Sequence, residues 1–248
     1  MTAKSSNVRF GVMSLLAFVV LAILISLGTW QVRRLAWKQD LLQTIESRIH
    51  QLPRPLETWF KTEPGTDYWP VFVEGTFMHS AERHFFATHD GQSGYFVYTP
   101  LETSPGAFVF INRGFVPFDR KDPTTRVEGQ ISGNVKVTGL ARSILTEKPS
   151  SLVPDNEPSK NIFYWKDFAA MRDSAGLPPG ARMAEVFIDA DKTPNPGGLP
   201  VGGVTILDLP NSHLQYAVTW YGLAATLAVI WSILAWRHVR PRRLTPPA

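Results

Sequence analysis

Two long apolar segments, one near each end of the chain, constrain its fold more than any other feature. No charged residue occurs from Phe10 to Val32, and none occurs from Leu209 to Trp236. Each run exceeds the ~20 residues with which an α-helix crosses a bilayer, so the pattern predicts membrane helices at 10–30 and 211–236. A cleaved secretory signal is the alternative for the first run. The apolar part of such a signal is only about 7–15 residues long, which favours an uncleaved anchor.

The distribution of basic residues predicts how these helices are oriented. Segment 237–248 is rich in arginine, and segment 1–9 is also basic. Basic residues favour the cytoplasmic side of a membrane, so both termini are predicted to be cytoplasmic and residues 31–208 to lie outside. Arg33 and Arg34 follow the first helix on the outer side, against this rule. Their position suggests a role other than orientation.

The intervening segment has the pattern of a β-rich domain. Leu35, Leu42 and Ile49 recur at helical spacing, so the first helix is expected to continue as an amphipathic stalk to about residue 50. Runs of aromatic and β-branched residues then alternate with Gly, Pro, Asp and Ser clusters, which is the signature of strands and turns. Strands are predicted at 68–77, 83–88, 94–101, 107–116, 130–141 and 185–190, and a short helix at 166–174. The predicted fold class is a membrane protein in which two transmembrane α-helices, N- and C-terminal, flank a β-rich α+β external domain.

Several classes of function are excluded by what the sequence lacks. It contains no Cys, which excludes disulfides, Cys-ligated zinc, iron–sulfur clusters and thiol-based copper carriage. The glycine pairs at 197–198 and 202–203 do not fit phosphate-loop patterns, and the G-x-S-x-G pattern of hydrolases is missing. The sequence therefore predicts no enzyme. The formal net charge of +4 comes largely from the membrane flanks, which favours membrane lipids and not nucleic acid as partners.

The beginning of the second apolar run carries its most distinctive side chains. Asn211 is predicted to cap the helix, which places His213 in the first turn. Tyr216 and Trp220 follow at i+3 and i+7, on the same helical face as His213. One interpretation is aromatic anchoring at the membrane boundary, where Tyr and Trp are common. The other is that His213 is an axial iron ligand and that the aromatic rings pack on a porphyrin.

The end of the first apolar run carries a matching layer of residues at the depth expected for His213. This layer consists of Trp30, Gln31, Arg33 and Arg34. Arginine pairs with carboxylates through two parallel hydrogen bonds, so a haem held by His213 would turn its propionates toward the layer. Snorkelling of arginine to lipid headgroups is the alternative. Close approach of the two helices is expected at three small residues: Gly222, Ala225 and Ala228.

Two polar clusters of the external domain are predicted to have no cofactor role. Segment 79–84 contains His, Glu and Arg side chains, but their spacing fits no metal-ligand pattern. It is predicted to be a solvated turn and strand end. Arg113, in segment 112–117, is predicted to make an internal ion pair or a contact with a partner.

Short blocks spread along the chain carry a family resemblance. The blocks are 27–31 with Arg33, Leu35, Trp37 and Lys38; 94–95 with 98–100; 111–117; 125–126 with 128–131; 187–190; 196–198; and 213–217 with 219–223. In this order they resemble the surfeit locus protein one family, which are assembly factors for cytochrome c oxidase. The resemblance covers nearly all of the chain, and several ordered blocks are far more specific than any single motif.

The resemblance implies a role in maturing the haem-copper subunit of the oxidase. For bacterial members it also implies binding of haem a, with His213 implicated as the ligand, so haem a is the expected transient cofactor. The expected site comprises His213, Tyr216, Trp220, Trp30, Gln31, Arg33 and Arg34. The expected partners are subunit I of cytochrome c oxidase, haem a synthase and membrane lipids.

The N-terminus lacks the Arg- and Ser-rich pattern of an organelle transit peptide, which favours a bacterial member of the family. The expected location is the inner membrane, with the main domain in the periplasm. Two alternatives remain. One is a cofactor-free scaffold that stabilises an oxidase assembly intermediate. The other, which the sequence favours far less, is a membrane-anchored periplasmic hydrolase.

Overall fold

The computed structural model describes residues 2–63, 65, 67–205 and 211–240. The chain divides into a helical unit, Met1–Gln43 with Asp208–Ala248, and a barrel unit, Thr44–Leu207. The helices and strands in chain order are α1 (Thr2–Ile49), β1 (Arg54–Pro55), α2 (Leu56–Thr62), β2 (Trp69–Phe77), β3 (Arg83–His89), β4 (Gln92–Ser104), β5 (Ala107–Pro117), β6 (Asn134–Ser143), α3 (Phe168–Ser174), β7 (Arg182–Ala190) and α4 (His213–Val239). Most of the predicted tail, 237–248, lies outside the described residues.

Within the described residues, two helices are long and apolar enough to cross a membrane, Val8–Ile49 and His213–Val239. This agrees with the predicted class, two apolar helices flanking a β-rich domain. The continuation of the first helix beyond the apolar run is also confirmed, because α1 extends without interruption to Ile49.

The two helices approach each other mainly at residues other than those expected. A Cβ added to Gly28 would lie 2.9 Å from the ring of Tyr221, so the absence of a side chain there allows the contact. Ala217 and Ala224 are the buried residues of α4. A Cβ on Gly222 would meet nothing within 4 Å. The prediction of close approach is therefore wrong for Gly222 and for Ala225, which is exposed, because the contacting face of α4 carries Ala217 and Ala224. Ala228 lies on that same face and lines a cavity together with Ala17 and Leu21 of α1.

The barrel unit is a closed sheet with two additional strands. Its strands follow the order β1-β2-β6-β7-β5-β4-β3, and β2 also pairs with β4, which closes a five-stranded barrel. The β5–β7 pair is parallel, whereas β2–β6, β4–β5 and β6–β7 are antiparallel. Closure removes most of the exposed edges that an open sheet would present. The predicted β-rich domain is confirmed.

Side chains of the central strand β5 enter two separate cores. Val109 and Ile111 pack in one core with Trp59 of α2. Phe110 packs in the other with Met171 of α3. Successive side chains of a strand point to opposite faces, so the alternation along β5 supplies both cores at once. This explains why β5 is apolar along most of its length and not alternately apolar and polar.

Two local features differ from the sequence prediction. Helix α2 was not predicted from the sequence; Pro55 occupies its N-cap position. Strand β6 begins at Asn134 and not at Gln130. Gln130 caps a 3-10 segment, and Gly133, with φ of 82°, turns the chain before the strand.

Gly114 provides the first testable prediction. Its φ is 120°, and an added Cβ would overlap the carbonyl oxygen of Val201, whose backbone pairs with Phe115. Gly114→Ala is expected to lower the free energy of unfolding by about 2–3 kcal/mol. The positive φ disfavours any residue with a Cβ, and the Cβ would also clash with the backbone of Val201. Gly133→Ala is the control: it shares a positive φ but meets nothing within 4 Å, so about 1 kcal/mol is expected. Hydrogen exchange of the barrel strands in the full chain measures both. Equal losses would contradict the close-approach argument.

Candidate functional site

His213 is the first residue of α4, and its ring contacts a side chain of α1. The N-cap is Ser212, without a side-chain cap, and the N–H of Tyr216 donates to the carbonyl of Ser212. The predicted capping by Asn211 is therefore wrong, because the helix begins one residue later than that cap requires. Placement of His213 in the first turn is confirmed. His213 Nδ1 lies 2.7 Å from Gln31 Oε1.

This hydrogen bond fixes which ring nitrogen of His213 is available to a ligand. An amide oxygen only accepts hydrogen bonds, so Nδ1 must carry the proton and donate to Gln31. In the neutral ring, Nε2 then holds a lone pair, and no described residue forms a hydrogen bond with it. Gln31 is only 8% exposed, so its side chain is held in place. A neutral imidazole with one nitrogen oriented by a hydrogen bond is the usual form of a histidine that ligates a metal.

The predicted aromatic residues of the site lie in different environments. Tyr216 is 52% exposed and Trp30 is 56% exposed, whereas Trp220 is half-buried. Spacing of seven residues keeps Trp220 within about 20° of His213 around α4. The exposed rings of Tyr216 and Trp30 fit contact with lipid as well as contact with a planar ligand. Both interpretations made from the sequence therefore remain open for these two residues.

The two arginines of the predicted layer do not share one face of α1. Helical geometry places Arg34 about 60° from Gln31 and Arg33 about 160° from it, on the far side. The guanidinium of Arg34 lies 3.8 Å from the ring centroid of Trp37. Arg34 is thus the arginine that the fold brings to the Gln31 side of the helix, whereas Arg33 points away from it.

A buried charge cluster in the barrel unit was missed by the sequence analysis. Glu82, Arg83 and His84 are 3%, 9% and 3% exposed, so the prediction of a solvated segment at 79–84 is wrong. The Glu82 carboxylate accepts hydrogen bonds from Arg126 Nη2 and from His84 Nε2, the latter at 2.9 Å. Arg126 lies 44 residues further along the chain. Local spacing could not reveal it, and the cost of burying Glu82 is offset by a partner that only the fold supplies.

This cluster makes the stability of the barrel depend on pH. Burial raises the pKa of the Glu82 carboxyl, but hydrogen bonds from His84 and Arg126 outweigh burial, and the net pKa is below its ordinary 4.5. Burial lowers the pKa of His84 below its ordinary 6.5. In both cases the unfolded chain binds protons more readily than the folded chain. The contribution of His84 to the free energy of unfolding is complete above pH 6.5 and is lost as the pH falls below that value. The contribution of Glu82 is lost at lower pH, below its ordinary pKa of 4.5.

We therefore expect the free energy of unfolding of the barrel to fall as the pH is lowered from 7 to 4. For one differentially bound proton, the slope reaches at most about 1.4 kcal/mol per pH unit. Denaturant unfolding of the full chain at a series of pH values measures the slope. His84→Gln should reduce the part of the loss near pH 6, to which His79 also contributes because burial lowers its pKa, and should leave the part due to Glu82. A flat profile in the unmodified chain would contradict the proposed linkage.

Arg113 also lies in the interior of the barrel unit. It is 2% exposed, and its Nη2 donates to the carbonyl of Gly129 and to Asn195 Oδ1. No carboxylate of the described residues lies within ion-pair distance of it, so the predicted internal ion pair is wrong. The acceptors, on Gly129 and Asn195, are neutral because the turns that approach this end of β5 present a backbone carbonyl and a side-chain amide oxygen to the guanidinium. Burial lowers the pKa of Arg113 to about 10, which leaves the guanidinium charged at neutral pH.

Asp189 is the centre of a second buried network. It accepts hydrogen bonds from Asn112 Nδ2 at 2.9 Å, from Arg142 Nη1 at 3.2 Å and from Thr205 Oγ1 at 3.0 Å. These bonds join β5, β6 and β7, which indicates a structural role. In the part of the chain that the structure describes, no group of three or more His, Asp or Glu side chains is arranged to hold a metal ion.

Comparison with known proteins places these features in context. The model of the SURF1 family matches residues 18–225, a range that includes both Gln31 and His213. Surfeit locus protein 1 of Xenopus tropicalis is 40% identical over 83% of this chain and 70% of its own length. The protein of the same name from Homo sapiens is 39% identical over 88% of this chain and 77% of its own length. The protein of the same name from Takifugu rubripes is 33% identical over 83% of this chain and 89% of its own length.

Proposed function

Because this chain belongs to the SURF1 family, a family of cytochrome c oxidase assembly factors, we propose that it binds haem a transiently and assists its insertion into subunit I. The observation that supports this proposal is the hydrogen bond from His213 Nδ1 to Gln31, which leaves Nε2 as a free ligand atom. No catalytic residue is assigned, since carriage and transfer of haem require binding and release but no bond cleavage in the protein.

The residues of the helical unit fit a haem that is cargo. A single histidine ligand gives reversible binding, because the iron keeps a position through which a receiving protein can take it over. The apolar tail of haem a would remain in lipid beside α1 and α4. Arg34, on the Gln31 side of α1, is the residue we assign to a propionate, while Trp220 and Tyr216 would pack on the macrocycle. Arg33 is assigned no contact.

The proposed location follows from the two apolar helices and from the charge distribution. We assign the chain to a bacterial inner membrane, with both termini in the cytoplasm and residues 31–208 in the periplasm. The basic segments 1–9 and 237–248 support this orientation. Subunit I, and haem a synthase as the source of the cargo, would then meet the chain at the outer surface of the membrane.

A cofactor-free scaffold is the second candidate function. The exposed rings of Trp30 and Tyr216 favour it, because large aromatic side chains on a membrane helix are suited to contact with the helix of a partner. In that case His213 would only join α4 to α1 through Gln31. The two candidates differ in whether loss of the imidazole affects the haem content of the oxidase.

Cells that make haem a and lack this protein test the choice. We expect that the unmodified chain restores haem a in subunit I and that His213→Ala restores less than about one tenth of it. A tenfold reduction corresponds to a loss of about 1.4 kcal/mol of binding free energy when the ligand is removed. His50→Ala is the control, because His50 is an exposed histidine directly after α1 whose ring is hydrogen-bonded to Glu46. Full restoration by His213→Ala, at equal amounts of protein, would contradict haem carriage and favour the scaffold.

A further inference from the structure

The barrel unit contains a cavity that the proposed function does not use. It has a volume of about 330 Å³ and is formed by β2, β5, β6, the end of β7 and the loop that follows β7. Cavities that hold small molecules begin at about 300 Å³, so this one is large enough for a small organic ligand.

The walls of the cavity differ in chemistry. Phe77, Ile111, Val135 and Ala190 give an apolar lining, and Arg113 and Asn195 give a polar one. Small-molecule sites commonly combine an apolar lining with a few fixed polar groups that orient the ligand. The guanidinium of Arg113 is fixed in this sense, because it lies 4.7 Å from the ring centroid of Phe77 and donates to Asn195.

Arg113 has more donors than the described residues can satisfy. A guanidinium has five N–H groups. Nη2 uses two of them, on Gly129 and Asn195, and Nη1 lies 3.4 Å from His79 Nδ1. Nε is buried and has no acceptor among the described residues. Nε and the second hydrogen of Nη1 are thus donors without an acceptor, on a cation without a carboxylate.

We propose that this cavity binds a small organic monocarboxylate with an apolar body, whose carboxylate pairs with Arg113. A carboxylate oxygen would accept a charge-assisted hydrogen bond from such a donor and would neutralise the guanidinium charge. An amine would be repelled by Arg113, and a neutral alkane or alcohol would leave its charge unpaired.

An acidic residue of the cavity restricts the ligand to one negative charge. Asp191 lines the same cavity, and its Oδ1 accepts from the N–H of Thr193. A dicarboxylate would bring its second charge toward Asp191. The other cation of the lining, Lys136, is exposed and lies 3.8 Å from Glu74 Oε1, so it adds little charge to recruit a second anionic group.

Binding of hexanoate to the full chain in lipid nanodiscs tests the proposal. Saturation-transfer NMR titrations compare hexanoate with 1-hexanol, which has the same chain without the charge. We expect saturable binding of hexanoate at least tenfold tighter than that of hexanol. Arg113→Lys should weaken hexanoate binding at least tenfold, because an ammonium keeps the charge but has no donor at the positions of Nε and Nη1. Arg120→Lys, at an exposed arginine outside the cavity, is the matched control and should change it less than threefold.

A second variant covers the case in which Arg113→Lys does not fold. Ala190→Leu fills part of the cavity and keeps Arg113, so it should also weaken hexanoate binding at least tenfold; hydrogen exchange verifies its fold. The proposal is overturned if hexanol binds as tightly as hexanoate, since the cavity would then be merely apolar. It is also overturned if hexanoate does not bind, or if binding is unchanged in every folded variant among Arg113→Lys and Ala190→Leu.

Discussion

Replacing Arg126 by methionine is expected to lower the free energy of unfolding of the barrel unit by about 3–5 kcal/mol. The reason is that Glu82 would stay buried while losing the arginine with which it forms an ion pair. The methionine has a similar volume, so packing changes little. His84 would still donate to the carboxylate, but burial lowers the pKa of His84 and so opposes its protonation, and it replaces only part of the lost positive charge.

Two further variants separate the buried charge from the loss of an arginine in general. Arg120→Met removes an exposed arginine that donates to the carbonyl of Thr125, and it should cost less than about 1 kcal/mol. The double variant Glu82→Gln with Arg126→Met removes the uncompensated charge and should recover part of the stability. Hydrogen exchange of the barrel strands in the full chain measures the free energy of unfolding of each variant. A loss for Arg126→Met no larger than that for Arg120→Met would contradict the interpretation.

Replacing Gln31 by leucine is expected to weaken haem a binding about 10- to 100-fold, although Gln31 would not touch the iron. Without its acceptor, the His213 ring loses both its preferred tautomer and its orientation. Gln31→Glu keeps an acceptor and makes the imidazole more basic, so it should retain binding and lower the reduction potential of the bound iron. This potential distinguishes positioning of the ring from a general loss of helix packing.

The matched control for Gln31→Leu is Gln43→Leu, since Gln43 is an exposed glutamine of the same helix. It should leave the affinity for haem a within about threefold. The positioning role would be refuted by equal affinities for the Gln31→Leu variant and the unmodified chain, or by a Gln31→Glu variant that binds haem with an unchanged potential.

The features that were predicted correctly are those with strong local signals. A long run without charges is stable as a helix only within a membrane or a protein core, so α1 and α4 were recognised from composition alone. Strands such as β2 and β5 were recognised from aromatic and β-branched runs between turn residues, with errors of a few residues at their ends. Closure of the barrel was not predicted, because it depends on the pairing of Thr76 and Phe77 with residues of β4.

The candidate site was only partly predictable for the same physical reason. The layer containing Gln31 was identified because two helices in one membrane must match in depth, but the separation of Arg33 from Arg34 required the helical phase of α1. The pairing of Glu82 with Arg126 gave no sequence signal at all. Polar residues in a segment are ordinarily solvated, and only contact between distant segments makes their burial favourable.

The absorption spectrum of the full chain, purified from cells that make haem a, tests the central claim of ligation by His213 most directly. We predict a red-shifted Soret band in the unmodified protein, its loss in His213→Ala, and its return when imidazole is added to that variant as a replacement ligand. His50→Ala should keep the band. A spectrum in His213→Ala that is identical to that of the unmodified chain would contradict the claim, because the iron would then have a different ligand.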